Sequence, residues 1–194
     1  MGEPPAPERQ PDRQSCGMDE FVRLLPGLYA WARLRTPSSL RRRVEPADLA
    51  HDVWVRVAQC QGQFDPRRGS FRAFVFGVAK MVLHELMRRQ LRLDREGVGG
   101  STSRMHALAE KSAAITSVTQ RAAKSEEIQQ FLARVRELEE VDRMLVVHCG
   151  LEEMSVHDAA TRLTITYEAA AKRWQRLRGR MRGWRVPVGV LEAG

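Results

Sequence analysis

The stretch SVHDAATRLTITYEAAAKRWQRLRGRM, residues 155–181, decides the fold class. Ser155 followed three residues later by Asp158 has the S-x-x-D form of a capping box, in which each side chain can satisfy an orphan amide of a first helical turn. Val156, Ala159, Ala160 and Leu163 then recur at helical spacing, so a short helix with one apolar face is expected. Thr164-Ile165-Thr166 reads as a tight turn, with Thr166 as N-cap of a second helix and Glu168 near the positive end of its dipole. In that second helix Ala170, Trp174, Leu177 and Met181 form a core-facing stripe, and Lys172, Arg173, Arg176, Arg178, Arg180 and Arg182 take the remaining surface.

A short capped helix, a three-residue turn and a longer basic helix is the helix-turn-helix plan. Its second helix enters the major groove of DNA and presents its N-terminal residues to base edges. Here those residues are Thr166, Glu168, Ala169, Lys172, Arg173 and Arg176. The competing reading is a solvated amphipathic helix. Such helices mix signs to gain ion pairs one turn apart, whereas no acidic residue occurs from Ala169 to Leu191. Trp174 and Trp184 are expected in the core rather than stacked on bases.

Working toward the start of the chain, Ile128, Phe131, Leu132 and Val135 have helical spacing, and a further helix from Val141 to Cys149 is expected to end at a left-handed cap on Gly150. Residues 126–186 thus make one small helical domain, with 187–194 as a tail. Before it, Gly97, Gly99, Gly100, Ser101, Thr102 and Ser103 and only scattered apolar positions mark residues 96–125 as a flexible linker. Residues 18–95 are helical again, beginning with Phe21, Leu24, Leu25 and Leu28, and form a second small domain. The first 17 residues, with Pro4, Pro5, Pro7 and Pro11, are expected to be a disordered arm. The fold class is therefore all-α, two helical domains.

The 194 residues carry 32 Lys and Arg against 24 Asp and Glu, a net charge of +8 that favours a polyanionic partner. Three cysteines, Cys16, Cys60 and Cys149, show no C-x-x-C pair and no matching His spacing, which argues against a zinc site or a disulfide framework. No apolar run reaches the length of a membrane span or a signal-peptide core, and a cytoplasmic location is expected.

Two segments of the first domain carry chemistry. From Pro46 a helix runs to about Cys60, with Leu49, Val53, Val57 and Cys60 as its buried stripe and Asp48, Asp52, Val55 and Gln59 along another side. An acidic stripe on a basic chain is either solvated charge or a docking face for a basic protein. Next, Phe64-Asp65-Pro66-Arg67-Arg68-Gly69-Ser70-Phe71 is a loop with turn chemistry, two arginines, an aromatic at each end and Ser70 as N-cap of the following helix. Aromatic walls can hold a flipped base while cations hold its phosphates. The helix after it, Phe71 to about Leu93, is apolar on nearly two sides and ends in Arg88, Arg89, Arg92 and Arg95.

These segments resemble the extracytoplasmic-function sigma factors, which bind core RNA polymerase and direct it to promoters. Asp48-Leu49-Ala50-His51-Asp52-Val53-Trp54 is similar to the family's D-L-x-Q-E-x-F docking segment, and Phe64 to Phe74 is similar to its F-D-P-x-R-G-S-F-R-x-W loop and helix. The resemblance implies that Asp48, Leu49, His51, Asp52, Trp54 and Val55 meet the polymerase beta-prime clamp. It implies that Phe64, Asp65, Arg67, Arg68, Ser70, Phe71 and Arg72 line a pocket for a flipped minus-ten base, with Lys80, His84 and Arg88 on the adjacent duplex. Met81 stands where the family has Asn. The second domain resembles the region that reads the minus-thirty-five element and meets the beta flap; Thr164 replaces the usual turn Gly and Trp174 the usual Leu. Single- and double-stranded promoter DNA are the implied ligands, and an anti-sigma protein is a further partner the resemblance admits.

The rival to this reading is a stand-alone helix-turn-helix regulator, which predicts a symmetric DNA site and no polymerase binding. An enzyme is not expected, since no carboxylate cluster, metal-ligand spacing or nucleophile–His arrangement stands out, and no cofactor or metal is implied.

Overall fold

In the computed structural model the described backbone comprises residues 13–37, 40, 44–96, 109–186 and 189–191. Every regular element among them is helical. Helix α1 spans Arg13–Arg35, α2 Pro46–Cys60, α3 Phe71–Glu96, α4 Ala109–Lys124, α5 Glu126–Arg136, α6 Glu140–Leu145, α7 Val156–Leu163 and α8 Tyr167–Met181. A 3₁₀ turn, Gln61–Gln63, follows α2, and a π-helical turn, Val146–Leu151, continues α6. No described helix is long and apolar enough to cross a membrane.

The apolar spacings produce the expected cores. Phe21, Leu24, Leu25 and Leu28 of α1 pack with Leu49, Val53 and Val57 of α2, and Val75, Phe76, Val78, Val82 and Leu83 bury α3 on two sides. Ile128, Phe131, Leu132 and Val135 of α5 are equally buried, as are Ala170, Leu177 and Met181 of α8. Trp174 and Trp184 are half-buried, Trp184 edge-on to Phe131 at 6.2 Å between ring centroids. Helix α1 starts at Arg13, five residues before Met18, while residues 1–12 of the expected arm lie outside the described residues.

Three expectations need correction. The stretch read as a flexible linker, 96–125, contains α4, which packs on α1 and α2. Ile115, Val118 and Ala122 sit at helical spacing, with Ile115 and Ala122 buried, so its few apolar residues are enough for one narrow stripe. Gly150 does not cap a helix in the left-handed region; it lies inside the π turn, and the positive φ falls at Glu153, 52°. A Cβ on Gly150 would meet Leu191 Cδ2 at 2.8 Å and Trp174 Cη2 at 3.3 Å, so a larger residue there would require the Leu191 side chain to shift. Finally, the two helical groups are joined by more than the chain, because α5 and the π turn lie against α1.

Candidate nucleic-acid interface

The helix-turn-helix forms as its caps dictate. Ser155 Oγ accepts the Asp158 amide at 3.0 Å and donates to Asp158 Oδ2 at 2.7 Å, so the acid of the capping box holds the cap hydroxyl. Thr166 Oγ1 accepts the Ala169 amide at 3.2 Å and starts α8. Between them Thr164 adopts φ 57°, the left-handed conformation a glycine would take without strain. Glu168, Lys172, Arg176, Arg178 and Arg180 are exposed on α8, and Ala169 is half-buried. Arg173 is different. Its Nη1 lies 2.8 Å from Asp142 Oδ1 and 3.2 Å from Glu139 Oε2. The hydrogen bond it donates to Asp142, then the one to Glu139, raises its affinity for the proton, so this guanidinium anchors α8 to α6.

The loop before α3 is built on Phe64, whose ring centroid lies 5.4 Å from Phe71 and 5.5 Å from Phe74. Phe71 is buried and Phe64 and Phe74 half-buried, which gives one apolar wall. Asp65 sets the turn: its Oδ1 accepts the Arg67 amide at 3.0 Å, its carbonyl the Arg68 amide at 2.9 Å. Arg67 and Arg68 are exposed beside the wall. Ser70 Oγ accepts the Ala73 amide at 3.0 Å as N-cap of α3 and donates to Glu153. On the exposed face of α3, His84 and Arg88 follow Lys80 one and two turns on, and Met81 is exposed among them.

Arg72 and Lys80 are taken up by the second helical group. Arg72 is 2% exposed. Its Nε donates to Leu151 O at 3.0 Å, Nη1 to Gly189 O at 3.2 Å and Nη2 to Val190 O, and its guanidinium lies 5.1 Å from the centre of the Phe76 ring. Lys80 Nζ lies 3.4 Å from Glu152 Oε2. Glu152, itself 3% exposed, also accepts the Trp31 indole N–H at 2.7 Å and pairs with His148 Nδ1 at 3.0 Å. Burial alone would push this carboxyl up, but the bonds from His148 and Trp31 and the charges of Lys80 and His148 outweigh it and hold it at about 2. The neighbouring Cys149 thiol is pushed to about 11, first by burial and then by the Glu152 charge, so it stays protonated at neutral pH.

On α2, Asp48 is exposed and His51, Asp52 and Val55 are half-buried, on the side expected to meet a partner. Leu49 and Trp54 face inward: Leu49 is 1% exposed, and the Trp54 ring packs 4.9 Å from Phe21. The segment therefore offers a polar edge and keeps its large side chains as core. Sequence reasoning passed over Trp31, His148, Glu152 and Glu153. Their only signal is an acidic doublet just after Gly150, whose partners apart from His148 lie more than 70 residues away.

Among known families, the model of sigma-70 region 2 matches residues 21–93. The chain is similar to a solved structure of the sigma factor RpoE in complex with the anti-sigma factor NepR from Bartonella quintana, at 20% identity and a TM-score of 0.44, over 84% of this chain and 92% of that one. No curated protein matches the chain in sequence.

Proposed function

Because the model of sigma-70 region 2 matches residues 21–93, we propose that the chain is an alternative sigma factor of the extracytoplasmic-function type. It binds core RNA polymerase, reads minus-ten and minus-thirty-five promoter elements and promotes DNA melting. The family match carries this reading. It covers α2, the aromatic loop and nearly all of α3, the parts to which docking and base capture are assigned.

Each part has a physical task. The exposed Asp48 and the half-buried Asp52 offer negative charge to a basic clamp surface and set the register of docking. Lys172 and Arg176 on α8 reach base edges or phosphates in the major groove at the upstream element. At the downstream element Arg67 and Arg68 hold backbone phosphates while the Phe64–Phe71–Phe74 wall receives an unstacked base. Unpairing and unstacking that base costs a few kcal/mol, which capture on the protein offsets without any covalent step. Docking holds the two reading heads on one polymerase, so two weak DNA contacts act as one strong one.

The test is complex formation with bacterial core RNA polymerase, by size exclusion at physiological salt, for the unaltered chain and for Asp52→Arg. A stable complex weakened at least tenfold by the charge reversal supports the assignment. No complex, with tight binding to a palindromic duplex, makes the chain a stand-alone regulator instead.

A further inference from the structure

We propose that the strap 189–191 and the loop 151–153 form a latch that holds Arg72 and Ser70, one flank of the base-capturing site, in the isolated chain, so that single-stranded DNA gains access to Arg72 only when the latch is released. The proposal deepens the reading given above and rests on its assignment of residues 64–72 to base capture.

Two residues assigned to that site, Ser70 and Arg72, and Lys80, assigned to the adjacent duplex, are held by the second helical group. Arg72 spends its guanidinium hydrogen bonds on the carbonyls of Leu151, Gly189 and Val190, with Glu153 Oε1 3.9 Å from its Nε. Ser70 donates to Glu153, and Lys80 pairs with Glu152. A cation with its donors on carbonyls inside the protein has few left for phosphate. The strap is fitted rather than laid on. Val190 is fully buried, and Gly189 takes φ 82° with its Cα so near α1 that an added Cβ would meet the Arg23 carbonyl oxygen at 2.2 Å. Across the contact, a Cβ on Gly27 of α1 would meet the Gly189 carbonyl oxygen at 2.5 Å and Arg72 Nη2 at 3.3 Å. Two glycines thus set the distance at which the strap can seat. At the loop, Glu153 is held at φ 52°, a conformation its contacts to Ser70 and Arg72 help to maintain.

The latch lowers apparent affinity by the fraction of chains in the open state, so its release is read as a gain in binding. Gly27→Ala displaces the strap while favouring helix at its own position, and deletion of residues 189–194 removes it. The probe is a fluorescein-labelled random-sequence single-stranded DNA 20-mer, with binding followed by anisotropy at fixed salt. In parallel, modification of Arg72 by an arginine-specific dicarbonyl is mapped by mass spectrometry against the exposed Arg67 and Arg68.

Both variants should bind the probe roughly tenfold more tightly than the unaltered chain, expose Arg72 to the reagent, and lose the gain when Arg72→Ala is added. Equal Arg72 modification in the unaltered chain and the variants overturns the latch itself. Faster Arg72 modification without tighter binding overturns its control of DNA access. Core-polymerase binding by the same preparations decides separately whether the sigma-factor reading stands.

Discussion

Trp31 on α1 donates its indole N–H to Glu152, a carboxylate 121 positions along the chain, at 2.7 Å. Around that bond His148, Lys80 and, at 3.9 Å, Arg35 complete a charged cluster between the two helical groups. Removing the anion leaves part-buried cations and a buried indole N–H without an acceptor. Glu152→Ala should therefore destabilise the chain by roughly 3 kcal/mol, read as a lower urea midpoint. An unchanged midpoint would mean the cluster contributes nothing net.

The same carboxyl sets an acid limit. Its value is depressed from 4.5 to about 2 in the folded chain, so its stabilisation is present above 4.5 and is lost as pH falls through the window toward 2. Thermal melts from pH 5 to pH 2.5 should show the unaltered chain losing more stability than Glu152→Gln, which carries no titrating group there. Parallel curves would remove Glu152 from the acid response.

At the turn of the helix-turn-helix, Thr164 sits at φ 57° where glycine would be unstrained. Relief of about 1–2 kcal/mol of left-handed strain is set against about 0.4–1 kcal/mol of added unfolded-state entropy, so Thr164→Gly should stabilise slightly, by about 0.5–1 kcal/mol. Loss of stability in chemical denaturation would mean the hydroxyl or methyl makes a contact that outweighs the strain.

On α8, Lys172→Ala and Arg176→Ala should each weaken duplex promoter binding and lower the salt slope by about one if the contact is to phosphate. Arg173→Ala should instead act through folding, because its guanidinium is held by Asp142 and Glu139. Salt titrations by anisotropy distinguish the two. Equal losses of slope for all three would show that Arg173 leaves its partners to reach DNA.

How much of this could be read in the chain follows from the range of the interactions. Caps and periodicities act within a turn or two, so Ser155, Thr166 and the core stripes of α1, α5 and α8 were legible. Ser70 as a cap and the aromatic wall of Phe64 and Phe71 were legible for the same reason. Helix α4 was missed because its stripe is thin and follows a glycine- and serine-rich run. The burial of Arg72 and the pairing of Lys80 were not legible, since both depend on residues 151–153 and 189–190 returning from far along the chain. A motif fixes the residue types of a site, while long-range packing decides which of them are open to a ligand.

The most direct measurement adds the purified chain to bacterial core RNA polymerase and sequences transcripts initiated on a library of genomic fragments. A sigma factor yields discrete start sites, absent with core alone, sharing two elements at fixed separation and lost with Lys172→Ala/Arg176→Ala. Transcripts no different from those of core alone, from a preparation that binds duplex DNA, would contradict the central claim.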